Sequence, residues 1–164
     1  MGKLFLMSTR FNKCSASDFG LVALADNKTL DSKDGSIWEK AKLYDFGWGE
    51  ENGFYRVPLP TFDTLFDIVL HSNDQEDRYG AAAIILKRSP EELLSRCETI
   101  IGDPTKKKES KILVDVFGLD RPINRSPITG KTYQQISDDY NRWGRIARIA
   151  ARFKNYASKT IRDH

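Results

Sequence analysis

The chain has 164 residues, of which 40% are hydrophobic, 30% are charged and 11% are aromatic. This composition excludes a disordered chain, and a domain of this length buries enough surface to be stable without a disulfide or a metal ion. The longest apolar run, residues 81–86, is far shorter than the ~20 residues that cross a bilayer, so no membrane span is predicted.

The charge is divided unevenly along the chain. Residues 1–80 hold 9 Lys+Arg and 13 Asp+Glu, a net charge of −4, whereas residues 81–164 hold 17 and 10, a net charge of +7. Such a division indicates either a charged partner or complementary charges within the protein. The N-terminus lacks the apolar core of a secretory signal, and Cys14 and Cys97 form no C-x-x-C pair. We therefore expect a cytoplasmic protein with reduced thiols.

The N-terminal part, residues 1–59, has no sustained periodicity and is predicted to be irregular, with room for a short β-hairpin. Ser36 followed three residues later by Glu39 is a capping-box pattern, so a short helix is predicted to begin there. The other assignments in this part are a short strand within residues 3–11, a polar loop at 26–35, a turn at Asn52–Gly53 and an extended segment at 54–59.

Residues 60–118 are predicted to form helical hairpins. Thr61 caps a first helix whose apolar residues recur at helical spacing as far as residue 70, and a second helix covers residues 75–88. Ser89, with proline at the next position, opens a third helix. Residues 106–117 suit a buried strand or a short helix, and periodicity leaves both open.

A long basic helix is predicted over residues 132–161, after a loop that contains two prolines. No linker or low-complexity segment interrupts the chain, so residues 1–164 are expected to form a single domain. The predicted fold class is mainly α, built of helical hairpins behind the less regular N-terminal part.

Residues 61–88 resemble a single HEAT-type helical hairpin. HEAT units place acids in the turn between their helices, here Asp74 and Asp77, then an arginine, here Arg78, and then small residues, which begin at Gly80. The resemblance implies that Gly80, Ala81 and Ala82 let the two helices approach each other closely. The overall character of the chain also looks like that of bacterial toxin-neutralising immunity proteins, which implies a protein partner.

The sequence predicts no catalytic residue, no metal site and no cofactor. Its two histidines, His71 and His164, are too few for a His-dependent nuclease, a Ser-His-Asp hydrolase or a zinc site. Cys97 lies among apolar residues of the third helix and is predicted to be buried and structural. An enzyme is the weakest of three functional hypotheses, because it depends only on carboxylates such as Asp138 and Asp139.

A cluster of acidic residues around the first hairpin is the leading candidate for a binding surface. Acids near helix starts also complement the helix dipole, so a purely structural role is the alternative. If the cluster is functional, the chain is a non-catalytic module that binds a basic protein, such as a toxin, and neutralises it by occlusion. The candidate residues are Asp63, Asp67, Asp74, Glu76 and Asp77.

A row of basic residues on the last helix supports the alternative function, nucleic-acid binding. Cations at spacings of three, four and seven follow one side of a helix, where they can track a phosphate backbone or lie on an anionic membrane. A C-terminal helix with exposed cations is also ordinary surface design. The candidate residues are Arg142, Arg145, Arg148, Arg152 and Lys159.

Overall fold

The structure is a computed structural model that describes residues 2–7, 15–26, 28–31, 33–45 and 50–160. The chain divides into two compact units, residues 1–84 and 85–164. The prediction of a single domain stays a prediction, because a division of contacts does not test whether either unit folds alone.

The first unit contains an antiparallel sheet of five strands in the order β1-β5-β4-β3-β2. A short 3₁₀ helix, Ala16–Phe19, precedes the second strand. The prediction of a mainly α fold is therefore wrong, and the protein is a mixed α and β structure. The strands are β1 (Phe5–Met7), β2 (Leu21–Ala23), β3 (Lys28–Asp31), β4 (Ile37–Asp45) and β5 (Glu50–Val57).

The helix predicted to begin at Ser36 is wrong, because this segment is β4. The hydroxyl of Ser36 accepts a hydrogen bond from the indole Nε1 of Trp38 at 2.8 Å, not from a helical backbone amide. Trp38 is only 3% exposed, and β4 pairs with β5 from Ile37 to Asp45. Burial of the indole and a long ladder of strand bonds outweigh a local cap, which contributes only about 1 kcal/mol.

The polar loop predicted at residues 26–35 contains β3, and the turn predicted at Asn52–Gly53 lies inside β5. A Cβ atom on Gly53 would lie 2.6 Å from the carbonyl oxygen of Leu6 and 2.7 Å from Cδ1 of Leu43. Glycine is therefore used here for close packing within the sheet. The extended segment predicted at 54–59 is confirmed as far as Val57.

The sheet is packed on both faces. Leu6 pairs with Phe54 in register, and on this face Leu21, Trp38 and Phe54 form a cluster with Leu6, Ala16 and Phe19. Because side chains alternate along a strand, Phe5 points to the opposite face. There it is fully buried against Gly80.

The predicted helices of the hairpin are confirmed as α1 (Phe62–His71) and α2 (Gln75–Arg88). The Thr61 hydroxyl accepts a hydrogen bond from the amide of Thr64, as the predicted cap requires. A Cβ atom added at Gly80 would overlap Cβ, Cγ and Cδ1 of Phe5, so this glycine lets α2 lie close to β1. The role that the HEAT resemblance implies for Gly80, the close approach of α1 and α2, stays a prediction.

The second unit contains α3 (Pro90–Ile101), α4 (Lys107–Phe117) and α5 (Tyr133–Thr160), which contact one another. The open choice at residues 106–117 is thus decided in favour of a helix. Inside this core the Ser110 hydroxyl donates to the carbonyl of Ile100 at 3.1 Å and joins α4 to α3. The long basic helix is confirmed, and Thr132 and Gln135 cap its start reciprocally.

The loop between α4 and α5 is held by Arg125. Its guanidinium donates to the carbonyls of Phe117, Gly118 and Ile123 and lies 5.3 Å from the ring centroid of Trp143. Trp143 in turn donates to the hydroxyl of Ser126 at 3.1 Å.

Among the described residues, none of the helices is both long and apolar enough to cross a membrane.

Candidate functional site

A pocket of about 370 Å³ in the first unit contains three of the five predicted acidic residues. It is bounded by the N-terminal backbone, by the second half of α1 and by the turn that leads into α2. This acidic pocket is lined by Gly2, Lys3, Leu4, Asp67, Ile68, His71, Ser72, Asp74 and Asp77.

Asp74 lies in the pocket because it caps α2. Its Oδ1 accepts hydrogen bonds from the amides of Glu76 at 2.8 Å and Asp77 at 3.2 Å. The first turn of α2 leaves these amides without helical partners, and a carboxylate at this position also complements the helix dipole. The acidic turn is therefore a local consequence of starting a helix.

Asp77 connects α2 to the sheet. Its Oδ1 accepts the amides of Leu4 and Phe5, each at 2.9 Å, at the start of β1. A charged acceptor shared by two backbone donors is among the stronger hydrogen-bond arrangements in proteins. The sequence did not predict this role, because the two donors are more than seventy positions away along the chain.

Lys3 supplies the cation at one end of the pocket. Its Nζ lies 2.8 Å from a carboxylate oxygen of Glu76 and 3.7 Å from one of Asp74. Burial on its own lowers the pKa of Lys3, but the hydrogen bond to Glu76 and the charges of Glu76, Asp74 and Asp77 together raise that pKa above 10.5. The pocket therefore already stabilises one ammonium group.

Asp67 is the most accessible carboxylate of the pocket. Its side chain is 73% exposed and lies 3.5 Å from the imidazole of His71, one turn later in α1. Asp63 is also exposed, but neither it nor Glu76 lines the pocket. Of the three acids that line the pocket, Asp74 and Asp77 accept backbone amides, whereas Asp67 is the most accessible.

Among the described residues, no group of three or more His, Cys, Asp or Glu side chains is arranged to hold a metal ion. Three carboxylates and a single lysine leave the pocket with an excess of negative charge. A guanidinium or ammonium group is the chemistry that fits such a surface.

The basic residues of α5 do not form one uniform row. Arg142 binds both carboxylate oxygens of Glu98 on α3, at 2.9 and 2.7 Å, and Arg145 lies 3.9 Å from the same carboxylate. Arg148 and Arg152 are exposed. The side chain of Lys159 lies outside the described part of the chain.

Of the remaining candidates of the second unit, Cys97 and Asp139 are buried and Asp138 is exposed. Cys97 is fully buried, and desolvation raises the pKa of its thiol to about 12. Asp139 is buried and pairs with Lys131, which also pairs with Glu91. Asp138 accepts a hydrogen bond from Gln134 at 2.9 Å. This arrangement places Asp139 in a structural ion pair.

Acidification is expected to weaken the link between α3 and α5 at Glu98. The hydrogen bond from Arg142 holds the pKa of Glu98 below its ordinary value of 4.5. A carboxyl group with a lowered folded pKa stabilises the protein above its unfolded pKa, and this stabilisation is lost as the pH falls through the folded pKa. Between about pH 5 and about pH 3, urea unfolding should show a steeper loss of stability for the wild type than for Glu98→Gln. Parallel curves would contradict this role of Glu98.

Comparison of the chain with protein family models, curated proteins and solved structures found no match. Function therefore has to be inferred from the side chains themselves. They offer an acidic pocket in the first unit and an exposed basic helix in the second.

Proposed function

We propose that this chain is a non-catalytic protein-binding module whose acidic pocket receives a basic side chain of its partner. The observation that carries the proposal is the convergence of Asp67, Asp74 and Asp77 on one pocket of about 370 Å³. A pocket whose charge is opposite to that of a partner's side chain is typical of a protein interface.

The internal contacts indicate which part of the pocket is available. Lys3 lies against Glu76 and Asp74, and the carboxylate of Asp77 accepts two backbone amides. Asp67 lies on the α1 side, where its carboxylate is 3.5 Å from the imidazole of His71. A partner's lysine or arginine therefore binds beside Asp67. Asp74 and Asp77 add negative charge from the α2 side of the pocket.

The specific form of the proposal is an immunity protein that acts in the cytoplasm on a basic toxin. Its mechanism is steric and electrostatic occlusion, which requires a charged surface and no reacting group. Its support is the acidic pocket, the resemblance of residues 61–88 to a HEAT-type hairpin, and the resemblance of the chain's overall character to immunity proteins.

Reversing the charge of Asp67 is expected to weaken binding of the partner. Wild-type protein and the variants Asp67→Lys and Asp115→Lys are immobilised, and proteins captured from an extract of the source organism are quantified. Asp115 is an exposed acid on α4, so its variant makes the same change of charge elsewhere. A partner of this pocket should bind wild type and Asp115→Lys, and a purified partner should bind Asp67→Lys about tenfold or more weakly.

Three outcomes would contradict this assignment. A basic protein captured equally by all three forms would bind elsewhere. A captured protein that is acidic would not fit the pocket. A loss of capture by Asp115→Lys as well would indicate a general charge effect in place of a site. Urea unfolding of each variant checks that the substitutions leave the fold intact, as expected for exposed side chains.

A further inference from the structure

Two tyrosines on α5 are exposed, although large aromatic side chains dominate the cores of proteins. Tyr133 is 87% exposed and Tyr140 is 53% exposed. They are seven residues apart, close to two turns of an α-helix, so they lie on the same side of α5. Two rings on one side of a helix form a platform that can stack against flat groups.

Two arginines continue this surface. Tyr140, Gly144, Arg148 and Arg152 follow one another at intervals of four residues, which is one ridge of the helix surface. The Cα of Gly144 faces open space, because a Cβ added there would meet no atom within 4 Å. The ridge therefore presents a ring, a gap and then two guanidinium groups.

The part of the chain that contains the ridge is basic in sequence. Residues 85–164 hold 17 Lys+Arg and 10 Asp+Glu, and residues 140–162 contain no acid. The apolar side of α5 is occupied, because Trp143, Ile146 and Ala150 are buried in the protein. A helix that binds a membrane surface inserts its apolar side into the lipid, and residues 133–153 of α5, whose side chains the structure describes, offer no free apolar face for such binding.

We infer that this face of α5 is a binding site for single-stranded nucleic acid. Arg148 and Arg152 contact phosphates, and Tyr133 and Tyr140 stack on unpaired bases. A duplex keeps its bases stacked on one another, so it can use the arginines but not the rings. The segment from Tyr133 to Arg152 is about 28 Å long, enough for several nucleotides.

The test is fluorescence-anisotropy binding of the full chain to labelled oligo(dT), oligo(U) and a duplex, each of about 20 nucleotides per strand. We expect both single strands to bind more tightly than the duplex and to remain bound at physiological salt. Tyr133→Ala and Tyr140→Ala should each weaken binding by about tenfold. Arg148→Glu combined with Arg152→Glu should weaken binding and reduce the slope of log K against log salt by about 1.4.

The matched control is Lys107→Glu combined with Lys108→Glu. It changes the net charge by the same amount, on exposed residues of α4, where acids near a helix start are favourable. An equal loss of binding in the control, a preference for the duplex, or loss of all binding at physiological salt would overturn the proposal. So would binding to phosphatidylserine vesicles without binding to either single strand. If the arginine variant fails to fold, the tyrosine variants still decide the outcome.

Discussion

Replacing Asp77 by alanine is expected to lower the free energy of unfolding by about 2–4 kcal/mol. The substitution removes the acceptor of two backbone amides, those of Leu4 and Phe5, at the start of β1. Both hydrogen bonds are partly buried, so the freed amides are only incompletely solvated. Urea unfolding monitored by tryptophan fluorescence and by circular dichroism measures the change.

Two further variants separate the hydrogen bonds from the charge. Asp77→Asn keeps an oxygen acceptor and should lose less than half as much stability as Asp77→Ala. Asp67→Ala removes an exposed carboxylate of the same pocket and should change stability by no more than about 0.5 kcal/mol. If Asp67→Ala were as destabilising as Asp77→Ala, the distinction between accessible and structural acids in the pocket would be wrong.

Replacing Gly80 by alanine is expected to lower the free energy of unfolding by about 1–3 kcal/mol, although alanine is the better helix former. A Cβ atom on Gly80 would lie within 2.6 Å of Cβ, Cγ and Cδ1 of Phe5. These atoms include the base of the Phe5 side chain, which a rotation of the ring cannot move away. Because Phe5 is fully buried, β1 or α2 has to shift.

Gly144 provides the matched control, since it also lies inside a helix but a Cβ there would meet no atom within 4 Å. Gly144→Ala should stabilise the protein by about 0.5–1 kcal/mol. A double variant, Gly80→Ala with Phe5→Ala, should lose less stability than the sum of the two single variants, because removal of Cγ and Cδ1 of Phe5 relieves two of the three close contacts. Stabilisation by Gly80→Ala alone would show that the packing of β1 on α2 is looser than described.

The charged residues of the two candidate surfaces differ in how far their substitution would disturb the fold. Asp74 caps α2 and Asp77 connects α2 to β1, so charge reversal at either residue would disturb the fold as well as any interface. Asp67 is exposed and offers a charge change without that cost in stability. In the same way, Arg142 holds Glu98, so Arg148 and Arg152 are the cleaner sites for testing an anionic ligand.

The sequence predicted the helices well because their signals are local. Caps such as Thr61, proline after Ser89 and apolar residues at spacings of three and four act within one or two turns. These signals placed α1, α2, α3 and α5 within about two residues of their observed ends. Three of the five predicted acids, Asp67, Asp74 and Asp77, line the pocket.

The sheet was missed because its signals are not local. Ser36 and Glu39 are residue types typical of a helix start. The segment is a strand because β4 pairs with β5 and Trp38 is buried. Asn52–Gly53 has the composition of a turn, but Gly53 is needed where the Leu6 backbone and the Leu43 side chain approach. At residues 106–117 the apolar pattern fits both a strand and a helix. The structure has a helix there, which packs on α3 and α5.

By itself, the sequence determined the helices, the division of charge and the acidic and basic residues from which a binding surface can be built. Only the tertiary structure decided which of these charges are accessible. Asp77 and Arg142 are engaged by atoms far away along the chain, at Leu4, Phe5 and Glu98, whereas Asp67 and Arg148 remain exposed. The physical reason is that capping and periodicity act between neighbours in sequence, while burial and ion pairing depend on neighbours in space.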